Sequence, residues 1–174
     1  EEYWYYVTAV NKLYKKELWN GLRFPKGKLH EDEFAAHSIL DRCRWVSCEG
    51  KALYMYVQRE QSITSQKYSV RRLDGVEALC ARVEYARCKR NCRVVADSLD
   101  KALNLLMEGY RRLGREKACR KVLKERRRLF NKTYIHVFFY KLGMKVRIKG
   151  MLAFMHPCIY TMFLGRLRKG KNEV

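Results

Sequence analysis

The chain has 174 residues, a length that suits one domain of ordinary size. Hydrophobic residues make up 48% of it and charged residues 32%, which supplies enough apolar material for a core and excludes wholesale disorder. Lys and Arg number 38 against 18 Asp and Glu, giving a net charge of +20. Repulsion among so many like charges opposes folding into a compact state unless a polyanion neutralises them. The charge therefore predicts RNA, DNA or an anionic membrane as the partner.

The positive charge increases toward the C-terminus. Residues 1–60 have a net charge of +1, residues 61–114 of +5, and residues 115–174 of +14. This gradient predicts a near-neutral end and a docking end. The alternative is a solvated basic face with no specific partner.

The N-terminal third is predicted to contain two helices and a strand. Apolar side chains recur at helical spacing over residues 3–20, which indicates an amphipathic helix. A second helix is expected from Glu31, because three successive acidic residues suit the positive end of a helix dipole. Residues 52–58 are rich in aromatic and apolar side chains and are typical of a short strand. A polar linker follows, over residues 59–73.

Three helical segments are predicted for the central part of the chain. Asp74 and Glu77 have the spacing of a capping box at the start of the first helix. The apolar pattern is interrupted at residues 89–91, resumes in a second helix, and stops at Gly114. A third helix is expected from Glu116 to about Phe130. Three consecutive segments of this kind favour an antiparallel bundle.

A small β-hairpin is predicted next, pairing residues 134–140 with residues 145–149. The first run is β-branched and aromatic, and the second alternates between cationic and apolar residues. A strand with this alternation places Lys145, Arg147 and Lys149 on one face and directs Val146 and Ile148 inward.

The chain closes with an apolar stretch and a basic tail. Residues 151–165 are apolar but short for a membrane span, so a core or interface segment is favoured over a membrane helix. The tail is expected to be unstructured until it is bound.

These elements define an α+β fold that is mainly helical and forms one compact domain. It consists of N-terminal helices, a central helical hairpin or bundle, a small C-terminal β-hairpin and a basic tail. The predicted segments are a near-neutral helical and aromatic part (1–58), the linker (59–73), a basic helical bundle (74–130), the hairpin with the apolar segment (131–165), and the tail (166–174).

The sequence lacks the motifs of the common catalytic sites. It has four histidines but no His-x-x-x-His pair, no nucleophile elbow and no phosphate-binding glycine loop. Acidic residues are scarce where the chain is most basic, which leaves little to build a carboxylate or Mg²⁺ site. We therefore expect no enzyme activity, no cofactor and no small-molecule substrate.

The seven cysteines are an odd number and include no Cys-x-x-Cys pair. This pattern predicts free thiols in a reducing compartment and no metal centre. The alternative is a zinc or iron–sulfur site that uses Cys88, Cys92 and a distant histidine.

The strongest chemical signal is a cluster of cations around the Arg126–Arg128 triplet. On a helix, several of them fall along one side at three- to four-residue spacing, which suits contact with a phosphate backbone. Arginine also offers bidentate contacts to phosphate. The predicted RNA-binding residues are Lys117, Arg120, Lys121, Lys124, Arg126, Arg127, Arg128, Lys132, Lys145, Arg147, Lys149, Arg166, Arg168 and Lys169.

Two resemblances bear on the function. The Arg-rich helix, the alternating cationic strand and the basic tail of residues 115–174 resemble the style of mitochondrial ribosomal proteins. Leu13-Tyr14-Lys15, with Leu18 and Leu22-Arg23-Phe24-Pro25, is similar to the opening of LYR-motif proteins, which are helical accessory and assembly subunits of mitochondria. That family has Arg where this chain has Lys15.

The sequence thus predicts a structural constituent of a ribosome in the mitochondrial matrix. It would bind ribosomal RNA through its basic C-terminal third and pack against neighbouring proteins of a large assembly. The alternative, implied by the LYR-like opening, is an accessory or assembly subunit of a respiratory-chain complex.

Overall fold

The structure is a computed structural model, and it describes residues 6–57, 67–140, 142–155 and 160. Its α-helices are α1 (Glu31–Arg42), α2 (Asp74–Cys88), α3 (Cys92–Leu113), α4 (Arg120–Val137) and α5 (Met144–Met155). Short 3-10 turns occupy Lys16–Trp19, Val70–Leu73 and Lys117–Cys119. The α+β prediction is wrong, because the described ranges contain helices and no β-strand.

Helices α2 and α3 form an antiparallel hairpin at the centre of the fold. Arg82 of α2 meets Ser98 of α3, and Gly75 at the start of α2 lies against Leu105 near the end of α3. The Asn91 side chain caps α3 by accepting a hydrogen bond of 3.1 Å from the backbone N–H of Val94. The predicted break at residues 89–91 and the stop before Gly114 are therefore confirmed.

Helix α4 completes a three-helix bundle and runs parallel to α2. Its core residues Leu123, Phe130, Tyr134 and Val137 are buried. They are seven, four and three residues apart and so lie on one side of the helix, which extends seven residues past the predicted end at Phe130. The basic C-terminal third is therefore part of the hydrophobic core as well as of the surface.

The predicted β-hairpin of residues 134–140 and 145–149 is wrong. Residues 134–137 form the last turn of α4, and residues 145–149 lie within α5. The strand propensity of the aromatic run was overridden by tertiary packing, since Tyr134 and Val137 continue the helical stripe begun by Phe130. A helix turns by about 100° per residue, so Arg147 is turned away from the side that Lys145 and Lys149 share. Ile148 is 45% exposed and does not pack inward.

Helix α5 lies against both α3 and α4. A Cβ atom built on Gly150 would stand 2.3 Å from the Tyr134 ring, so the two helices approach closely only because this residue is glycine. The Tyr134 hydroxyl donates to the Arg147 carbonyl at 2.9 Å. On the other side, Lys149 pairs with Asp100 of α3 at 2.8 Å.

The predicted N-terminal helix over residues 3–20 is wrong for residues 8–20, which contain no α-helix, whereas Tyr6 and Val7 are helical. Between Thr8 and Lys15 the chain is not helical, and Lys16–Trp19 forms a 3-10 turn. Trp19 packs edge-on against both Tyr14 and Phe24, which favours a compact turn over a continuous helix.

Residues 52–57 are exposed and form no strand, because no described segment forms a β-ladder beside them. The prediction of a strand over 52–58 is wrong for these residues. Residues 59–66 of the predicted linker and the tail at 166–174 lie outside the described residues, as does most of the apolar stretch at 151–165. Among the helices that the structure describes, none has the length and apolar character to cross a membrane.

Helix α1, predicted to begin at Glu31, runs parallel to α2 and is fixed to it by a buried ion pair. The Arg82 side chain is nearly inaccessible to solvent. Its Nη1 atom lies 2.9 Å from Oε2 of Glu33, and its Nε donates to the Ser98 hydroxyl at 2.9 Å. One guanidinium therefore joins α1, α2 and α3.

Replacing Arg82 by Met should lower the free energy of unfolding by about 3–5 kcal/mol, because the mostly buried Glu33 carboxylate loses its partner. Lys89→Met is the control. It breaks the solvent-exposed pair with Asp41 in the same pair of helices and should leave stability nearly unchanged. Urea unfolding of both variants measures the difference, and an equal effect would contradict a structural role for the buried pair.

Candidate nucleic-acid interface

Helix α4 has one apolar face and one cationic face. Opposite the core residues, Lys121, Lys124, Arg128 and Lys132 are all exposed. Spacings of three and four residues keep them on one side of the helix, over about 17 Å of its axis. None of the four has an ion pair or a hydrogen bond with the part of the chain that the structure describes. We call these four residues the α4 cationic face.

Two further predicted cations, Lys117 and Arg120, are exposed at the N-terminal end of α4. Arg115, which was not among the predicted residues, is also exposed beside them. Its position just after the Gly114 stop was the available signal. The only acidic residue within the sequence of α4 is Glu125, so cations dominate the outward side.

Arg126, at the start of the arginine triplet, is directed to the interior. It pairs with Asp74 at 3.2 Å and with Glu77 at 3.0 Å on the first turn of α2, and its side chain is mostly buried. Lys28 pairs with the same Glu77 at 2.6 Å. Asp74 therefore does not form the predicted capping box: it is the first residue of the helix, and its carboxylate holds α4 and the backbone N–H of Leu29.

Arg127 is directed to a third surface. It donates to the backbone carbonyls of Phe154 and Met155 at 3.1 Å each. Carbonyls in the last turn of a helix lack partners within the helix and carry partial negative charge, so a guanidinium stabilises them. Three consecutive arginines thus serve three purposes, and only Arg128 is left on the cationic face.

The three cations predicted on a strand have different surroundings on the helix. Lys145 is exposed, Arg147 donates to the Tyr140 carbonyl at 2.9 Å, and Lys149 pairs with Asp100. Two of the three therefore have internal partners. The last predicted cations, Arg166, Arg168 and Lys169, lie outside the described residues.

Arginines near the end of α3 are also engaged internally. Arg111 and Arg112 both bond to Glu108, and these hydrogen bonds lower the pKa of that carboxyl to about 2. Arg112 also stands over the Tyr68 ring at 5.0 Å from its centroid. These two arginines therefore have internal partners, in contrast to the residues of the α4 cationic face.

The described cysteines form no disulfide. Cys80 lies in the core, where burial raises the pKa of its thiol to about 12 in spite of a hydrogen bond with Thr133. Cys48 and Cys88 are exposed. The described ranges contain no group of three His, Cys, Asp or Glu side chains arranged to hold a metal ion.

Histidine side chains take part in packing between helices. His136 of α4 lies 2.8 Å from Glu84 of α2, measured from Nδ1 to Oε1. Burial would raise the pKa of Glu84, but hydrogen bonds from Arg87 and His136 outweigh it and lower that pKa. His37 packs against the Tyr85 ring, and burial together with the nearby Arg82 lowers its pKa.

Comparison with known proteins adds no family to this picture: no protein-family model, curated protein or solved structure matches the chain. The class of protein can therefore be inferred only from the geometry and charge of the helical bundle itself.

Replacing Arg126 or Arg128 by Gln should have very different effects on the free energy of unfolding. Arg126→Gln removes an ion pair from two partly buried carboxylates and should lower the free energy of unfolding by about 1–3 kcal/mol. Arg128→Gln, the matched control, should leave stability unchanged because its side chain contacts solvent. Urea unfolding decides the matter, and a destabilising Arg128 variant would contradict the assignment of that residue to the outward face.

Thiol reactivity should follow burial. In the native protein Cys48 and Cys88 should react rapidly with a small alkylating reagent, and Cys80 should react only after unfolding, because its thiolate is strongly disfavoured. Mass spectrometry of peptides after timed alkylation identifies each site. Rapid labelling of Cys80 under native conditions would show that the α2–α4 core is open.

Proposed function

We propose that this chain is a structural RNA-binding protein that holds an RNA phosphate backbone against the α4 cationic face. One observation carries the proposal. Lys121, Lys124, Arg128 and Lys132 stand in a row without partners in the described chain, while Arg126 and Arg127 between them are engaged internally.

The physical basis is the release of counterions. Neighbouring cations in the row are separated by about 4.5–6 Å along the helix axis, which forms a continuous line of positive charge. A protein that neutralises phosphates with such a line releases condensed counterions, and its affinity falls steeply with salt. Contacts of this kind fix position without reading sequence, so the expected role is to clamp RNA rather than to select one sequence.

Rigidity of the helix supports the same role. The opposite side of α4 is anchored by Phe130, Tyr134 and Val137 in the core, and by the two carboxylates that bind Arg126. The row of cations is therefore held in place before RNA arrives, which reduces the entropy lost on binding.

We extend the proposal to ribosomal RNA of the mitochondrial ribosome because the Arg-rich helix and the basic tail of residues 115–174 resemble proteins of that class; the alternating cationic strand no longer contributes to this resemblance. A net charge of +20 on 174 residues supports a polyanion of large extent. In this role the chain carries out no reaction. Nuclease treatment of the native assembly should release it, whereas a respiratory-chain subunit would stay with its membrane complex.

The test replaces all four residues of the α4 cationic face by Gln in the full chain. Affinity for a structured RNA should fall, and the slope of log affinity against log salt should flatten by about three units if all four neutralise phosphates. Folding should be preserved, because exposed charges contribute little to stability. Fluorescence anisotropy with a labelled RNA hairpin, at several salt concentrations, gives both quantities.

The matched control replaces four exposed cations elsewhere, Lys26, Arg44, Lys51 and Lys67, by Gln. It removes the same total charge from the chain but leaves α4 intact, so most of the salt dependence should remain. Equal flattening in both variants would show that net charge, and not the α4 cationic face, governs RNA binding.

A further inference from the structure

A second surface, on α5, is apolar and exposed among the residues that the structure describes. The outward side of α5 carries Met144, Ile148, Met151 and Met155, which are 72%, 45%, 50% and 58% exposed. We call these four residues the α5 apolar stripe. Soluble proteins seldom leave large apolar side chains together at the surface without a binding role.

The spacing of the stripe matches a helix–helix seam. Its members are four, three and four residues apart, which is the alternation of core positions in a coiled coil. The stripe follows the axis of α5 for about 17 Å, equal to roughly three turns. Methionine side chains adapt their shape to a partner, as expected for a surface that receives another helix.

The stripe cannot be buried by rotating α5 within this fold. Gly150 is fitted against the Tyr134 ring, Ala153 is buried, and Lys149 is paired with Asp100. Arg127 also holds the last turn of α5 through two carbonyls. These contacts fix the inward side of α5, so the stripe is directed away from the described part of the bundle.

Charge around the stripe selects the partner. Helix α5 contains no acidic residue, and helical geometry places Lys145 and Arg147 on either side of the stripe. Lys145 is exposed, and Arg147 keeps its charge because its hydrogen-bond partner is a neutral carbonyl, whereas Lys149 is neutralised by Asp100. A second copy of this chain would bring the same cations and another +20 of net charge to the interface. A helix with acidic flanks would instead be attracted by the positive charge around the stripe.

We propose that the α5 apolar stripe is the docking site for an amphipathic helix of a protein partner, with an apolar seam flanked by acidic residues. The site is distinct from the α4 cationic face and does not depend on RNA binding. It gives the chain two surfaces of different chemistry, one for phosphates and one for protein.

The probe is a synthetic helical peptide of about three heptads with Leu at the seam positions and Glu beside them. Full-length protein should bind the peptide, and the double variant Ile148→Glu with Met151→Glu should weaken binding at least tenfold. The control pair, Leu53→Glu with Met55→Glu, introduces the same charge at apolar residues that are 76% and 84% exposed outside any helix. It should change affinity less than twofold.

Three results would overturn the proposal. Equal weakening by both pairs, or equal affinity for a scrambled peptide of the same composition, would show that charge alone attracts the peptide. If the chain sediments as a dimer and the Ile148→Glu/Met151→Glu variant sediments as a monomer, the stripe serves self-association. If the chain binds vesicles of phosphatidylserine and phosphatidylcholine but not the peptide, and the same double variant no longer binds the vesicles, the stripe binds a lipid surface.

A second measurement covers the case in which the glutamate pair fails to fold. A photo-crosslinking phenylalanine analogue in place of Met151 keeps an apolar side chain and should capture the peptide on irradiation. The same analogue in place of Met55 should not. Capture at Met55 alone, or at neither position, contradicts docking on α5.

Discussion

Carboxylates on α2 determine which cations of this chain remain available to a partner. Asp74 and Glu77 hold Lys28 and Arg126, and Glu84 holds both Arg87 and His136. These pairs lie along the side of α2 that packs on α4, and they fix the rotation of α4 about its own axis. The outward position of Arg128 follows from that rotation, because the residue two places earlier is bound inside.

The central helices could be predicted from the sequence because their signals agree. The break at residues 89–91 and the glycine after Leu113 coincide with the limits of a strong 3–4 apolar repeat, and packing preserves them. The end of α4 and the whole of α5 were missed for a different reason. A β-branched and aromatic run and a strict two-residue alternation are local signals, and the contacts of Tyr134 with Gly150 that override them join residues sixteen apart.

The type and spacing of the candidate site residues could be predicted from the sequence. Which of these residues have internal partners could not. Sequence identifies a triplet of arginines, whereas only the fold reveals that Asp74, some fifty residues away, accepts one of them and the end of α5 accepts another. The exposed row on α4 was predictable from helical spacing, since Lys121, Lys124 and Arg128 follow it. The apolar stripe on α5 was not, because the predicted hairpin connection, strand and apolar stretch divide its four residues among three different segments.

The arginine triplet makes this region intolerant of changes in chain length. Arg126, Arg127 and Arg128 serve α2, α5 and solvent in turn, each separated from the next by about 100° of helix rotation. Inserting or deleting one residue in the first turn of α4 would move every one of these side chains to its neighbour's position at once. The guanidinium meant for the carboxylates would then face α5 or solvent, and the carboxylates would face a different side chain. Substitution tests each arginine alone, whereas a shift in register disturbs the bundle, the end of α5 and the cationic face in a single step.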